Sequence, residues 1–144
     1  HILHNMELLW QKYFPSQCVI VRPTGIYGAS IDRLKRMAEH TQTYPNIHYS
    51  NRIHIDDLAR FLAFLADFEK PHKSYLVANN APVPLHEVLL WFQSQLDLPL
   101  LTLDSAHVSG KKIYAKHLFE TGFQLEHPIC FNDYLLCLNA HGTN

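Results

Sequence analysis

Apolar positions change their spacing several times along the chain, and each change marks an element. Ile2, Leu3, Met6, Leu8, Leu9 and Trp10 recur at helical intervals, and Pro15 ends that segment near Phe14. Ser16 and Gln17 turn the chain into a β-branched run, Cys18 to Arg22, which reads as a strand. Ser30 is placed to cap a helix running to about His40, with Leu34, Met37 and Ala38 on its inner face. Thr41 to Pro45 read as a loop, and Ile47 to Tyr49 as a short strand. Asp56 and Asp57 favour a helix start, and the following Leu58 to Leu65 are apolar nearly all round, which predicts packing on more than one side. Ser74 to Ala78 read as a second inner strand. Pro84 then opens a helix to Leu96 with a Leu85, Val88, Leu89, Phe92 and Leu96 stripe. A third strand at Leu100 to Leu103, a helix over Lys111 to Thr121 stopped by Gly122, and a last helix over Phe131 to Leu138 complete the pattern. Strands alternating with helices predict an α/β fold with a largely parallel sheet.

The stretch CVIVRPTGIYG, Cys18 to Gly28, concentrates the functional signal. Pro23 cannot donate to a sheet ladder, and Gly25 and Gly28 permit a turn or a close backbone approach. A strand that ends this way delivers a loop to the sheet rim, where α/β proteins place ligands; an ordinary strand-to-helix connection accounts for it equally.

Composition narrows the partners. The 144 residues carry 47% apolar residues, enough for one domain with a core, and a formal charge of -1 argues against nucleic acid or an anionic membrane surface. Charged residues are only 17%, so more of the surface than usual is apolar. No apolar run approaches a membrane span, and Cys18, Cys130 and Cys137 lack paired spacing, which fits reduced thiols in a cytoplasmic protein. The eleven histidines show no H-E-x-x-H. His1 and His4 could share one helix face, but no full ligand set at metal spacing accompanies them, so no metal site is expected.

Several separated stretches agree on one family. VIVRPTGIYG resembles the R-P-x-x-[VI]-Y-G segment of the extended short-chain dehydrogenases/reductases. Asn51 to Ala59 is similar to that family's [IV]-H-[VI]-x-D-[LV]-A segment. Tyr75 to Asn79 with Pro82 to Val88, and Lys111 to Ile113 with Leu118 to Phe123, resemble its later strand-turn-helix and closing regions. The order matches throughout, and the short spacings look most like atypical, NAD-dependent epimerase/dehydratase-like members. The resemblance implies that residues 1–144 are the C-terminal, substrate-side part of a Rossmann-like extended fold with a small, largely parallel sheet and packed helices. The N-terminal dinucleotide-binding part is then expected to be absent. The glycines at 25, 28, 110, 122 and 142 form no G-x-x-G-x-x-G, and neither Leu3 nor His4 supplies the lysine of the family's Tyr-x-x-x-Lys. No catalytic residue is therefore assigned, and the chain alone is expected not to transfer hydride.

In an intact relative, the resemblance places Pro23, Thr24 and Gly25 at the cofactor edge, for NAD or NADP, and Tyr27 on the substrate side. None of that cofactor is expected to stay bound to this chain. Arg22 suits a carboxylate or phosphate, or a structural partner. Arg52 and His54 are candidate substrate contacts, but Ser50 stands where sugar-nucleotide enzymes carry a phosphate-binding Arg. The alternative is that His54 and Asp57 hold a loop-to-helix junction. Arg33, Lys35 and Arg36 could face an anion, although a solvated helix face explains them better.

Three functions follow. One is a part of a nucleotide-sugar epimerase, dehydratase or reductase, inactive alone. Another is a non-catalytic nucleotide or nucleotide-sugar binding or scaffold member of the same fold. The third is a small self-associating interaction domain. A strand and a helix deprived of their usual neighbours predict a dimer or larger assembly, with exchange of elements as one route.

Overall fold

The computed structural model describes residues 2–141, so His1 of the histidine pair considered above lies outside the described residues. In chain order the elements are α1 (Ile2–Tyr13), β1 (Ile20–Pro23), β2 (Gly25–Tyr27), α2 (Asp32–His40), β3 (Thr43–Tyr44), β4 (Ile47–Ser50) and β5 (Arg52–His54). They continue with α3 (Ile55–Ala66), β6 (Ser74–Val77), β7 (Val83–Pro84), α4 (Leu85–Gln95), β8 (Thr102–Leu103), β9 (Val108–Ser109), α5 (Lys116–Glu120) and α6 (Cys130–His141).

Pairing is largely parallel, as expected, but it is divided among small sheets. β1 runs parallel to β6 with Val21 opposite Tyr75, and β2 runs parallel to β5 with Tyr27 opposite His54. β3 pairs parallel with β8, while β4 lies between antiparallel β7 and parallel β9. The division has a visible cause at Thr24. Its backbone N–H donates to the Val77 carbonyl at 3.0 Å, and the next N–H, from Gly25, donates to the Asn51 carbonyl at 3.0 Å. The chain thus leaves one partner strand for another within a single residue. A Cβ on Gly25 would stand 3.0 Å from that Asn51 oxygen, so the missing side chain permits the approach.

Two cores result. One gathers Ile31, Ala38, Val88, Leu89, Phe92, Leu101, Cys130 and Tyr134 between α2, α4 and α6; the other gathers Ile53, Phe61, Tyr75, Val77, Ala78, Ala115, Leu118 and Phe123 around β5, β6 and α3. The stripe read on α4 is there, but the helix also buries Gln93. Its Nε2 donates to the Ala38 and Thr41 carbonyls at 2.9 and 2.8 Å, and its Oε1 accepts from Leu101 N–H at 2.8 Å. One amide therefore satisfies the end of α2 and anchors the segment before β8.

Three expectations change. α3 is packed on one side only: Phe61 is fully buried, while Ile55, Ala59, Leu62, Ala63 and Ala66 form an exposed stripe. Residues 111–115 are not helical, because side-chain amides take their backbone groups. Asn51 Oδ1 accepts from Ile113 N–H at 2.7 Å, Asn51 Nδ2 donates to the Lys111 carbonyl at 2.7 Å, and Asn80 Oδ1 accepts from Ala115 N–H at 2.6 Å. Only α5 remains of that helix, and Gly122 at φ +82° ends it. β2, β3, β5, β7 and β9 fall where sequence patterning showed no strand, β3 within the Thr41 to Pro45 segment read as a loop, since runs of two or three residues carry no period to read.

Candidate functional site

β2, β5, α2 and α6 enclose a cleft of about 260 Å³ whose wall includes Gly25, Tyr27, Arg33, Ser50, Arg52 and Tyr134. Arg52 opens β5 and is 6% exposed. Its Nη2 donates to Ser50 Oγ at 2.9 Å, and that hydroxyl donates onward to the Val83 carbonyl at 2.8 Å. Its Nη1 is buried without a hydrogen bond of good geometry, and so is the hydroxyl of Tyr134 from α6, although that hydroxyl lies close enough to the Arg52 guanidinium and the Cys130 thiol to interact with both. A buried guanidinium nitrogen without a good acceptor is costly, so Arg52 keeps hydrogen-bonding capacity in reserve at the cleft wall. Burial holds the Tyr134 phenol, and also the Cys130 thiol, well above their ordinary pKa, with the Arg52 charge pulling each back only in part. Tyr134 is therefore a neutral donor and Arg52 a fixed cation. Arg33, read from sequence as part of a solvated face, is exposed at the cleft wall and adds a second positive charge.

Tyr27 contributes its ring rather than its hydroxyl. The hydroxyl donates to Asp133 Oδ2 at 2.6 Å, and burial first, then Asp133, raises its pKa far beyond physiological pH. The ring meets Tyr134 edge-on at 5.4 Å and His54 edge-on at 5.0 Å.

His54 does not line the cleft. Its Nδ1 accepts from Asp56 N–H at 3.2 Å, which caps α3, and its ring stacks on His127 at 3.7 Å. Asp57, fully buried one residue further on, accepts from Glu126 and His127 N–H at 2.9 and 2.8 Å and from Arg60 Nη1 at 2.8 Å. These two residues tie the segment before α6 to the start of α3. His127 Nδ1 in turn donates to Asp133 Oδ1 at 2.7 Å. Asp133 first of all holds the imidazole above its usual pKa.

The remaining candidates lie apart. Arg22 grips Glu7 of α1 through both Nε, at 2.9 Å, and Nη2, and this pairing lowers the Glu7 pKa. It borders a different cavity of about 320 Å³ with Ser74, Leu76, Tyr114, Lys116 and His117. Pro23 is exposed at the end of β1, and Thr24 Oγ1 is committed to the Val77 carbonyl at 3.0 Å. Sequence reasoning missed Tyr134, whose position reads as core on a helix with Cys130 and Phe131. It also missed Ser50, which was noted only for not being an arginine.

For a dinucleotide, the described residues supply an edge and not a cradle. Pro23, Thr24 and Gly25 offer no run of free backbone N–H groups, because Thr24 and Gly25 N–H are both spent on the sheets.

No protein-family model matches the chain, and no curated protein matches it. Solved structures do match. A protein described as an NAD-dependent epimerase/dehydratase from Methylobacillus flagellatus is 30% identical, with a TM-score of 0.79 over 94% of this chain and 50% of its own. UDP-N-acetylglucosamine 4-epimerase from Bacillus cereus is 14% identical, with a TM-score of 0.69 over 96% of this chain and 52% of its own. dTDP-glucose 4,6-dehydratase from Bacillus anthracis, solved in complex with NAD, is 13% identical, with a TM-score of 0.66 over 85% of this chain and 44% of its own. The last two show the fold alone, and the chain spans about half the length of the structures it matches. With the Arg-Pro corner, the Asn51 to Ala59 segment and the parallel pairings in the expected order, the chain has the fold of about half of an NAD-dependent epimerase/dehydratase-like, extended short-chain dehydrogenase/reductase protein, in keeping with a C-terminal half.

Proposed function

We propose that this chain is the substrate-side part of an NAD(P)-dependent, sugar-nucleotide epimerase/dehydratase-like oxidoreductase, and that its cleft holds the phosphate-bearing portion of a nucleotide sugar. The carrying observation is that Arg52 Nη1 and the Tyr134 hydroxyl, which interact with each other, are both buried with no well-formed hydrogen bond to an acceptor. A phosphate oxygen offers these donors the acceptors they lack, Arg33 adds charge at the wall, and the Tyr27 ring offers a flat apolar surface. Hydride transfer belongs to a complete enzyme; the chain by itself binds without turnover.

The test is a thermal-shift titration with UDP, UDP-glucose and NAD. UDP-glucose and UDP raise the melting temperature, and NAD does not. Arg52→Met weakens UDP binding about 10- to 100-fold, the loss of one or two charge-assisted hydrogen bonds, while Tyr134→Phe costs about a factor of five. Arg33→Ala, at an exposed position, lowers affinity without touching the core. Equal UDP affinity in all four proteins refutes the assignment.

Self-association is the second element of the proposal. α1 has no buried residue, and Ile2, Leu3, Met6, Leu9, Trp10 and Tyr13 all stand in solvent. Exposed apolar surface of this extent supports a second copy of the chain as its cover. A cytoplasmic location is supported by three cysteines that form no disulfide; separately, no helix among the described residues is long and apolar enough to cross a membrane.

A further inference from the structure

Asp133 of α6 stands behind the aromatic wall of the cleft without lining it. Both of its carboxylate oxygens are committed. Oδ2 accepts from the Tyr27 hydroxyl at 2.6 Å, and Oδ1 accepts from His127 Nδ1 at 2.7 Å. Tyr27 lines the cleft, and so does Tyr134, the residue after Asp133. The carboxylate is therefore one side chain removed from whatever occupies the cleft. Alone, a negative charge in that position opposes the attraction that Arg52 and Arg33 exert on an anion. A protonated His127 cancels it.

The surroundings place that proton on His127 rather than on its neighbour. The His127 ring lies on the His54 ring of β5 at 3.7 Å, 12° from parallel, and two stacked imidazolium rings repel each other. His54 Nδ1 accepts from the Asp56 N–H, which requires a bare lone pair at that atom and so a neutral ring. The other charges around His127 are acidic in balance. α3 contributes Asp56 and Asp57, while Arg60 of the same helix is spent between Asp57, at 2.8 Å, and Glu126, at 3.2 Å. β2 contributes only the Tyr27 hydroxyl, which burial and Asp133 keep protonated. Asp133 foremost, then Asp57 and Asp56, hold the imidazole above its usual pKa against the opposing effect of burial. With its proton the His127–Asp133 pair is neutral; without it the pair carries one negative charge behind the cleft.

We propose that phosphate binding in the cleft is proton-linked through His127, whose imidazolium neutralises Asp133 and lets the wall accept an anion. The linkage rests on the nucleotide-sugar reading of the cleft, and it has a fixed sign. The anion binds best while His127 is protonated, binds more weakly as pH rises through the His127 midpoint, and levels off above it. By reciprocity, the bound anion makes the His127 proton harder to remove. One charge acting across a partly solvated wall changes affinity about two- to tenfold.

The test titrates the whole chain with UDP-glucose, whose diphosphate diester does not itself ionise near neutrality, by calorimetry from about pH 5.5 to about pH 8.5. Proton magnetic resonance follows the His127 ring over the same range, with and without ligand. Wild type loses about two- to tenfold in affinity across the His127 midpoint, the bound ligand moves that midpoint to higher pH, and complex formation near it takes up protons. In Asp133→Asn the midpoint falls and the step in affinity follows it to lower pH. In His127→Asn the step is gone. Far-UV circular dichroism verifies that both variants keep the fold, and the wild-type measurements decide the matter without them. Binding whose affinity is flat in pH, a His127 midpoint unmoved by ligand, or a step that survives in His127→Asn overturns the linkage and leaves the cleft reading standing. Absence of binding at every pH overturns the cleft reading and the linkage with it.

Discussion

Replacing Asp57 with Asn probes the joint that places α6 against the cleft. The carboxylate is fully buried and accepts three hydrogen bonds, from Glu126 N–H and Arg60 Nη1 on Oδ1 and from His127 N–H on Oδ2. Asparagine matches the size but has one acceptor oxygen, so one loop N–H must face an NH2 donor and the Arg60 charge loses its partner at this end. A hydrogen bond to a charged group contributes about 1.5–3 kcal/mol, and breaking a buried ion pair about 3–5 kcal/mol. Arg60 keeps Glu126 at 3.2 Å, which moderates the second figure. The expected loss is therefore about 2–4 kcal/mol, or roughly 5–12 °C in melting temperature for a chain of this size. Urea unfolding gives the free energy, and amide exchange gives its location, with Glu126 and His127 losing protection first. A loss below about 0.5 kcal/mol, with both amides still protected, refutes the view that Asp57 fastens this segment.

Other consequences are equally open to measurement. Asp133 raises the His127 pKa, so the fold favours the protonated imidazole. That contribution is complete below the ordinary imidazole pKa and is lost as pH rises through the raised value, so the stability gap between wild type and His127→Asn narrows as pH climbs from mildly acidic through that raised value; a widening gap contradicts the assignment. Gly28→Ala costs about 1–3 kcal/mol in urea unfolding, because Gly28 sits at φ +112° and the new Cβ would press on the His54 ring; no measurable loss contradicts that packing. Sedimentation at tens of micromolar gives a dimer or larger species, and Leu3→Glu with Met6→Glu returns it toward 16.7 kDa; a wild-type monomer refutes cover of α1 by a second copy.

What the sequence disclosed depended on element length and on the reach of each contact. Long periodic segments were legible: the Val88, Leu89 and Phe92 stripe is fully buried as read. The Ser74 to Val77 strand also lies where patterning placed it. Residues 111–115 misled because Asn51 and Asn80, distant in sequence, outcompete the helix for their backbone groups. The α3 helix misled in the opposite sense, since an all-round apolar sequence does not say which faces this chain itself covers. In the cleft, Gly25, Tyr27 and Arg52 were legible through family-like motifs, but Arg22 belongs to Glu7 and His54 to a helix cap. Tyr134 was illegible because it packs as core in the same place where it backs the cleft wall, a double role that helical periodicity does not carry.

What meets the buried Arg52 Nη1 decides whether the cleft binds phosphate. Nuclear magnetic resonance of the labelled chain during a UDP titration reads this residue by residue. Saturable shifts confined to residues 25–34 and 50–52 and to Tyr134, with the Arg52 guanidinium signals moving furthest, are the predicted result. Shifts that gather elsewhere, or an unmoved Arg52 at saturating UDP, contradict it.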